Sequence, residues 1–323
     1  MSDKQDKSFL DLVVNNLFSK VMKVYKEPSP EYKDLTNKVI SVSKEFDSII
    51  KNSYQDYLKK IVNDLNYPRP LGSDENRKAA QYVMDQFKEL GYKPHYINEL
   101  KNVIVNPGAS VFIGSHYDTV PTTPGADDNS SAVAVMLAVA KIMEGESRIG
   151  FICFNAEENG LLGSRQYVES LTKQEIKKHS IIHVLEMVGY TNKAPNSQQN
   201  PLPVGEMPNV GDFLGVVGNS LAASSIQSIL SCSPNVKIPV LALQLSKIPA
   251  VAIPSVLKLS DHAPFWNNGL AATQWTDTAF HRNPNYHLAS DTPETLDYEF
   301  MSEVTKLLAL SAVMDAAFVL KKN

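Results

Sequence analysis

Cysteine is almost missing from this chain of 323 residues: Cys153 and Cys232 are the only two. The count allows one bridge and rules out a disulfide framework. Cys153 also lies in the apolar run IGFICFN, which predicts a reduced thiol in the core. An excess of basic charge is missing too. With 31 basic against 35 acidic residues the formal net charge is −4, and without a broad basic face nucleic acid is not an expected partner. No apolar run approaches the roughly 20 residues that span a bilayer, so no membrane partner is expected either. The opening stretch MSDKQDKSFLDLVVNNLF is charged and has neither an apolar h-region nor a small-residue cleavage site, which makes the cytoplasm the expected compartment. Internal repeats and low-complexity tracts are absent.

What is present is a chain with 43% hydrophobic residues, enough to bury a sizeable core in one large domain or two small ones. Residues 8–65 carry apolar residues at helical spacing and predict two helices. In PRPLGSDENRKAAQYVMDQFKELGY, Ser73 reads as an N-cap, acidic residues follow it, and Gly91 reads as the stop. Strand-like runs NVIVN and SVFIGSHY come next, then a helix (SAVAVMLAVAKIM), a strand (RIGFICFN), a helix from near Gly160, and a strand (SIIHVLEM). This alternation predicts an α/β fold with helices on both faces of the sheet. The stretch TNKAPNSQQNPLPVGEMPNVGDF has no period and predicts a long loop.

Ligands of such sheets bind beyond the carboxyl ends of the strands, and the chemically competent residues fall there. His116 and Asp118 follow VFIGS, Glu157 and Glu158 follow IGFICFNA, and Glu186 closes IIHVLE. Asp127 and Asp128 sit where a loop enters a helix, and His287 lies in NPNYHLASDT. Singly, each has an ordinary explanation. A strand-end His-x-Asp is commonly a hydrogen-bonding pair, paired aspartates before a helix are commonly caps, and Glu-Glu is commonly solvated surface. Jointly they would repel one another unless a cation sat among them. The nitrogen and oxygen set suits Zn²⁺, with Mn²⁺ or Co²⁺ as substitutes.

In order, SHYDTV, PGADDNSS, NAEENGLLGS, LEMVGY, SDHAPFW and NPNYHLASDT resemble the motif series of the co-catalytic dizinc aminopeptidases, the bacterial leucine aminopeptidase type. That superfamily also contains glutamate carboxypeptidases and glutaminyl cyclases. The resemblance starts at about residue 67. It implies a peptidase domain over 67–323, with a three-layer fold around a mostly parallel mixed sheet, preceded by an N-terminal helical extension over 1–66. It further implies two Zn²⁺ per chain: His116, Asp128 and Glu186 at one, Glu158 and His287 completing the other, with Asp128 bridging. Glu157 would be the general base, Asp118 would orient His116, and Tyr286 is the candidate donor to the oxyanion, a packing tyrosine being the plainer reading. Two metals roughly 3.5 to 4 Å apart would lower the pKa of a water they share, and Glu157 would carry its proton to the leaving amine.

Asp261 and His262 of SDHAPFW are expected to support loop geometry, and His281 and Arg282 to lie on the surface or at a substrate rim. Glu186 stands where many relatives have aspartate, and Ala132 where glycine is common. The expected substrate is a peptide with a free N-terminus. A carboxypeptidase would need arginine for the α-carboxylate, and the chain has five: Arg69, Arg77, Arg148, Arg165 and Arg282. A glutaminyl cyclase would keep one zinc and lack the GADDN run. A binding scaffold of the same fold would have lost ligands, and every ligand position here is filled.

Overall fold

The computed structural model describes residues 53–144, 146–200, 207–245 and 253–322. Of the helices expected over 8–65, the part before residue 53 lies outside the described residues. Helix α1 (Ser53–Asp64) turns Leu58, Ile61, Val62 and, just past its end, Leu65 inward at i, i+3, i+4 and i+7, and all four are fully buried. They join the same apolar cluster as the sheet and the later helices, so the core does not break at residue 66. Ser73 caps α2 (Asp74–Glu89) by accepting a hydrogen bond from the Asn76 N–H, and Gly91 beyond its end has φ +78°.

After α2 come β1 (His95–Ile97), β2 (Asn102–Val105), β3 (Val111–His116), α3 (Ala132–Ile142), β4 (Ile149–Phe154), α4 (Leu162–Ser170), α5 (Lys173–Lys178) and β5 (Ile181–Leu185). The second half adds β6 (Leu214–Asn219), α6 (Ala223–Cys232), β7 (Val240–Leu245), α7 (His262–Asn267), β8 (Ala272–Thr276) and α8 (Tyr298–Lys322). The eight strands form one sheet in the order β1-β2-β4-β3-β5-β8-β6-β7. Neighbours are parallel from β4 through β3 and β5 to β8. The sheet reverses at β8–β6, and β7 runs parallel to β6. At the other edge β1 and β2 are antiparallel.

Every residue of β3, β4 and β5 is buried, as continuous apolar runs covered on both faces must be. One face packs against α1, α2, α3, α6 and α8, where Leu58, Phe87, Leu137, Ile229 and Leu308 meet. The other packs against α4 and α7 through Tyr167, Phe265 and Trp266. The result is three layers. Cys153 and Cys232 are buried, unbridged thiols, and Ala132 is fully buried at the start of α3. Among the described residues no helix is long and apolar enough to cross a membrane. Because β3, β4 and β5 are parallel, their carboxyl ends share one rim, and the candidate ligands follow those ends.

Candidate metal centre

His116 is the last residue of β3. Its Nδ1 lies 3.2 Å from the main-chain oxygen of Asp118 and 3.5 Å from the Asp118 carboxylate, which leaves Nε2 facing the rim. The orienting contact expected of Asp118 is therefore made chiefly by its backbone. Its carboxylate does something else: it accepts the N–H groups of Glu157 and Glu158, each at 3.2 Å. Asp118 thus holds the turn after β4 that carries both glutamates. That turn closes with Gly160 and Leu161 donating to the Glu157 oxygen at 2.9 and 2.8 Å.

Asp128 is placed by a different device. Between Ala126 and Ser131 the chain makes a kinked turn, with Asp128 (φ −103°, ψ 88°) and Asn129 (φ −133°, ψ 36°) off helical geometry. The Asp291 carboxylate accepts the N–H groups of Asp127 and Asp128 at 2.9 and 3.1 Å. Asn129 bonds both ways to the end of β5, donating to Leu185 O at 3.1 Å and accepting from Met187 N–H at 3.0 Å. Gly125 opens the turn at φ +65°, where a Cβ would come within 2.3 Å of the Asp128 oxygen. Beneath it lies Arg69, fully buried. Its guanidinium donates to the main-chain oxygens of Leu65, Tyr67, Tyr117, Pro124 and Gly125 and to Ser130 Oγ.

These devices bring the candidate ligands together. Asp128 Oδ1 is 3.4 Å from His116 Nε2 and its Oδ2 is 3.1 Å from His287 Nε2, so one carboxylate faces both histidines. Glu186 Oε2 lies 3.3 Å from His116 Nε2, and Glu158 Oε2 lies 3.3 Å from His287 Nε2. Glu157 Oε2 stands further off, 4.0 Å from His116 Nε2. Two clusters of donor atoms result, His116 with Glu157 and Glu186, and Asp128 with Glu158 and His287, each with its atoms within 4.8 Å of one another. Backbone in the left-handed region surrounds them: Ala156 (φ 60°) precedes Glu157, Met187 (φ 48°) follows Glu186, and His287 itself has φ 58°, a concentration of strain typical of functional sites.

The residues fit a divalent cation. His116 Nε2, His287 Nε2 and Glu158 Oε1 are buried and have no hydrogen-bond partner, although each belongs to one of the two clusters of ligand-type groups. Orphaned buried polar atoms are rare and need a partner. Charge points the same way. Burial opposes ionisation of Asp128, but the His116 and His287 rings beside it hold its carboxyl below the usual range. Burial, with Glu186, Asp261 and Glu158 nearby, pushes Glu157 well above it despite the pull of His116.

The remaining candidates separate. Asp127 turns away, accepting from Gly189 N–H at 2.9 Å and from Asn283 Nδ2 at 2.7 Å. Tyr286 is partly exposed, with its ring stacked on that of His287 at 3.8 Å between centroids. His262 is fully buried and bonds Leu257 O through Nε2 at 2.8 Å, and Asp261 is fully buried; neither is among the clustered groups. Arg282 is not the surface or rim residue expected: it is 5% exposed, donates to Gln198 Oε1 at 2.9 Å and lies over the Phe213 ring at 4.5 Å. Sequence reading missed Ser260, whose hydroxyl donates to Glu186 Oε2 at 2.7 Å, and Asp291; both sit inside quoted motifs, SDHAPFW and NPNYHLASDT, and their position there was the available signal.

Beside Glu186 and Tyr286 opens a cavity of about 120 Å³, walled by β6, β7 and β8 and by Phe280 and His281.

Comparison with known proteins agrees with this geometry. The description "Peptidase family M28" matches residues 102–230, the span from β2 into α6. The chain is 28% identical over 285 residues to the uncharacterized protein YfbL of Escherichia coli strain K12, covering 79% of this chain and 86% of that protein. It is 30% identical over 219 residues to aminopeptidase YwaD of Bacillus subtilis strain 168, covering 66% of this chain and 42% of that longer protein. In three dimensions it resembles the aminopeptidase from Aneurinibacillus sp. strain AM-1, with a TM-score of 0.62 at 18% identity over 81% of this chain and 93% of that one, a likeness of fold. With the motif series and the paired clusters at the sheet's rim, these matches identify residues 102–230 as a peptidase family M28 region and support a metal-dependent peptidase.

Proposed function

We propose that the protein is a dizinc aminopeptidase, and the observation that carries this reading is Asp128, whose two oxygens face two histidines with orphaned ring nitrogens. His116 and Glu186 would hold one Zn²⁺, Glu158 and His287 the other, with Asp128 shared. Bound ions of this kind lower the pKa of a water and polarise a carbonyl. Glu157 is within reach but stands apart from the nearest histidine by 4.0 Å, the placement of a group that moves a proton. Its raised proton affinity suits it to take a proton from the attacking water and return it to the leaving amine. The Tyr286 hydroxyl would donate to the oxyanion.

A free α-amine suits a rim crowded with Asp128, Glu157, Glu158 and Glu186, and none of the five arginines lines the neighbouring cavity, where an α-carboxylate would need one. The cavity would receive the first side chain of a peptide with a free N-terminus. In this reading the catalytic unit includes α1.

Hydrolysis of aminoacyl anilides and N-blocked peptides by wild type and Glu157→Gln, with zinc measured on both, tests the proposal. We expect turnover of free-amine substrates only, a loss of about a thousandfold in kcat in the variant, and about two zincs retained in each. Hydrolysis of blocked peptides would point to a carboxypeptidase, and full activity of the variant would remove Glu157 from its role.

A further inference from the structure

The cavity beside Glu186 is largely apolar, with Phe213, Val217, Leu241 and Leu243 among its walls. Besides Glu186 and Tyr286 at the catalytic rim, four polar residues interrupt it, and two of these four are satisfied within the protein. Thr276 Oγ1 accepts the Thr278 N–H at 2.9 Å, and Thr278 Oγ1 donates to Gln198 Oε1 at 3.1 Å. The other two differ. Gln274 is 8% exposed and lines the cavity, and among the described residues its amide makes no side-chain hydrogen bond. His281 lines the same cavity, and its Nε2 is buried without a partner.

Nothing in the fold requires an amide at position 274. It lies in β8 opposite Val184 and Val217, on the face where an apolar side chain would pack as its neighbours do. Gln274 borders the open cavity, and a guest that covers its amide without pairing it costs free energy, whereas one that hydrogen-bonds it does not. Among the described residues Glu186 is the only carboxylate at the mouth, and no lysine or arginine lines the walls, so none of them balances an anionic guest. Burial lowers the proton affinity of His281, which keeps it neutral at neutral pH.

We infer that the cavity selects an uncharged N-terminal side chain with an apolar stem and a hydrogen-bonding end, such as a primary amide, and that Gln274 is the specificity-determining residue with His281 beside it in the wall. The inference rests on the aminopeptidase reading. A purely apolar guest strips water from Gln274 and leaves both amide atoms unpaired, whereas a guest ending in an amide pairs with them. Discrimination of this kind comes from the site's own polar groups.

The test is kcat/KM for the p-nitroanilides of L-glutamine and L-leucine with wild type, Gln274→Leu and Gln274→Met, the second variant serving if the first fails to fold. The glutamine-to-leucine ratio is expected to fall by roughly tenfold or more in the folded variant, and a ratio unchanged within about twofold would overturn the inference. Calorimetric binding of L-glutamine amide and L-leucine amide to the same zinc-loaded proteins gives a second readout that needs no turnover. If wild type hydrolyses neither anilide, the aminopeptidase reading falls, and the binding ratio still decides the role of Gln274 by the same criterion.

Discussion

His116 and His287 hold protons that a metal would have to displace. Burial disfavours the charged form of His116, but the carboxylates of Glu186 and Glu157, with those of Asp118 and Asp128 close by, outweigh it and hold the ring well above its ordinary value. His287 is likewise raised, to about 10, by Asp128 and Glu158 against the cost of burial. A histidine raised on folding stabilises fully below its unfolded pKa of roughly 6.5. That contribution is lost as pH rises through the folded value. Metal-free protein is therefore expected to lose stability between about pH 6.5 and 10, measured as urea midpoints in chelator. Loading with zinc near neutral pH should release protons, visible in calorimetry as a dependence on the ionisation enthalpy of the buffer.

Arg69 carries the second prediction at this scale. Arg69→Met would leave five carbonyl oxygens, those of Tyr117, Pro124 and Gly125 leading to Asp128 and of Leu65 and Tyr67 after α1, without their buried donor, at a cost of about 3 kcal/mol or more in chemical denaturation. Arg69→Lys keeps the charge and loses the fork, so it should recover only part. Residue types at the rim were legible in the sequence because their order on successive strand ends is a pattern in one dimension. The partners that hold them were not. Asp291 bonds a loop 163 residues away, and Asp118 turned out to grip the Glu157–Glu158 turn 39 residues on, contacts that no local spacing encodes.

Among the elements, those that read clearly were α2, with its Ser73 cap, and β3, β4 and β5, whose apolar runs are buried on both faces. β6, β7 and β8 were not anticipated. β7 carries the short apolar run VLAL but lies half-buried at the sheet edge, β8 reads ATQWT and has no continuous apolar run, and the reversal at β6 leaves no local trace. The join between β4 and α4 offers a test. A Cβ at Gly163 would lie 2.2 Å from the Asn155 oxygen and 2.6 Å from Asn102 Oδ1. Neither atom can yield freely, since Asn102 Oδ1 accepts the Asn155 N–H at 2.9 Å. Gly163→Ala is expected to cost about 2 kcal/mol or more in thermal denaturation, and wild-type stability in that variant would show the turn to be softer than its contacts indicate.

On the scale of the whole molecule, α1 belongs to the core that surrounds the metal centre. Leu58, Ile61, Val62 and Leu65 are fully buried, and the Leu65 and Tyr67 oxygens accept from Arg69. A chain beginning at residue 67 is therefore expected not to fold, removal of four buried apolar side chains costing several kcal/mol by itself. A cooperative melt by circular dichroism from that truncated chain would contradict this.

The sequence by itself determined the class of fold, the catalytic class and the residue types at the rim, because periodicity and motif order are properties of the chain read in one direction. Tertiary structure decided the rest. It turned Asp128 toward both histidines and Asp127 away, gave the Asp118 carboxylate to a backbone turn, buried Arg282 and set Gln274 in a cavity wall. Each of these depends on which distant atom lies within about 3 Å of a polar group, the range over which a hydrogen bond is made or lost, and only the folded packing sets that distance.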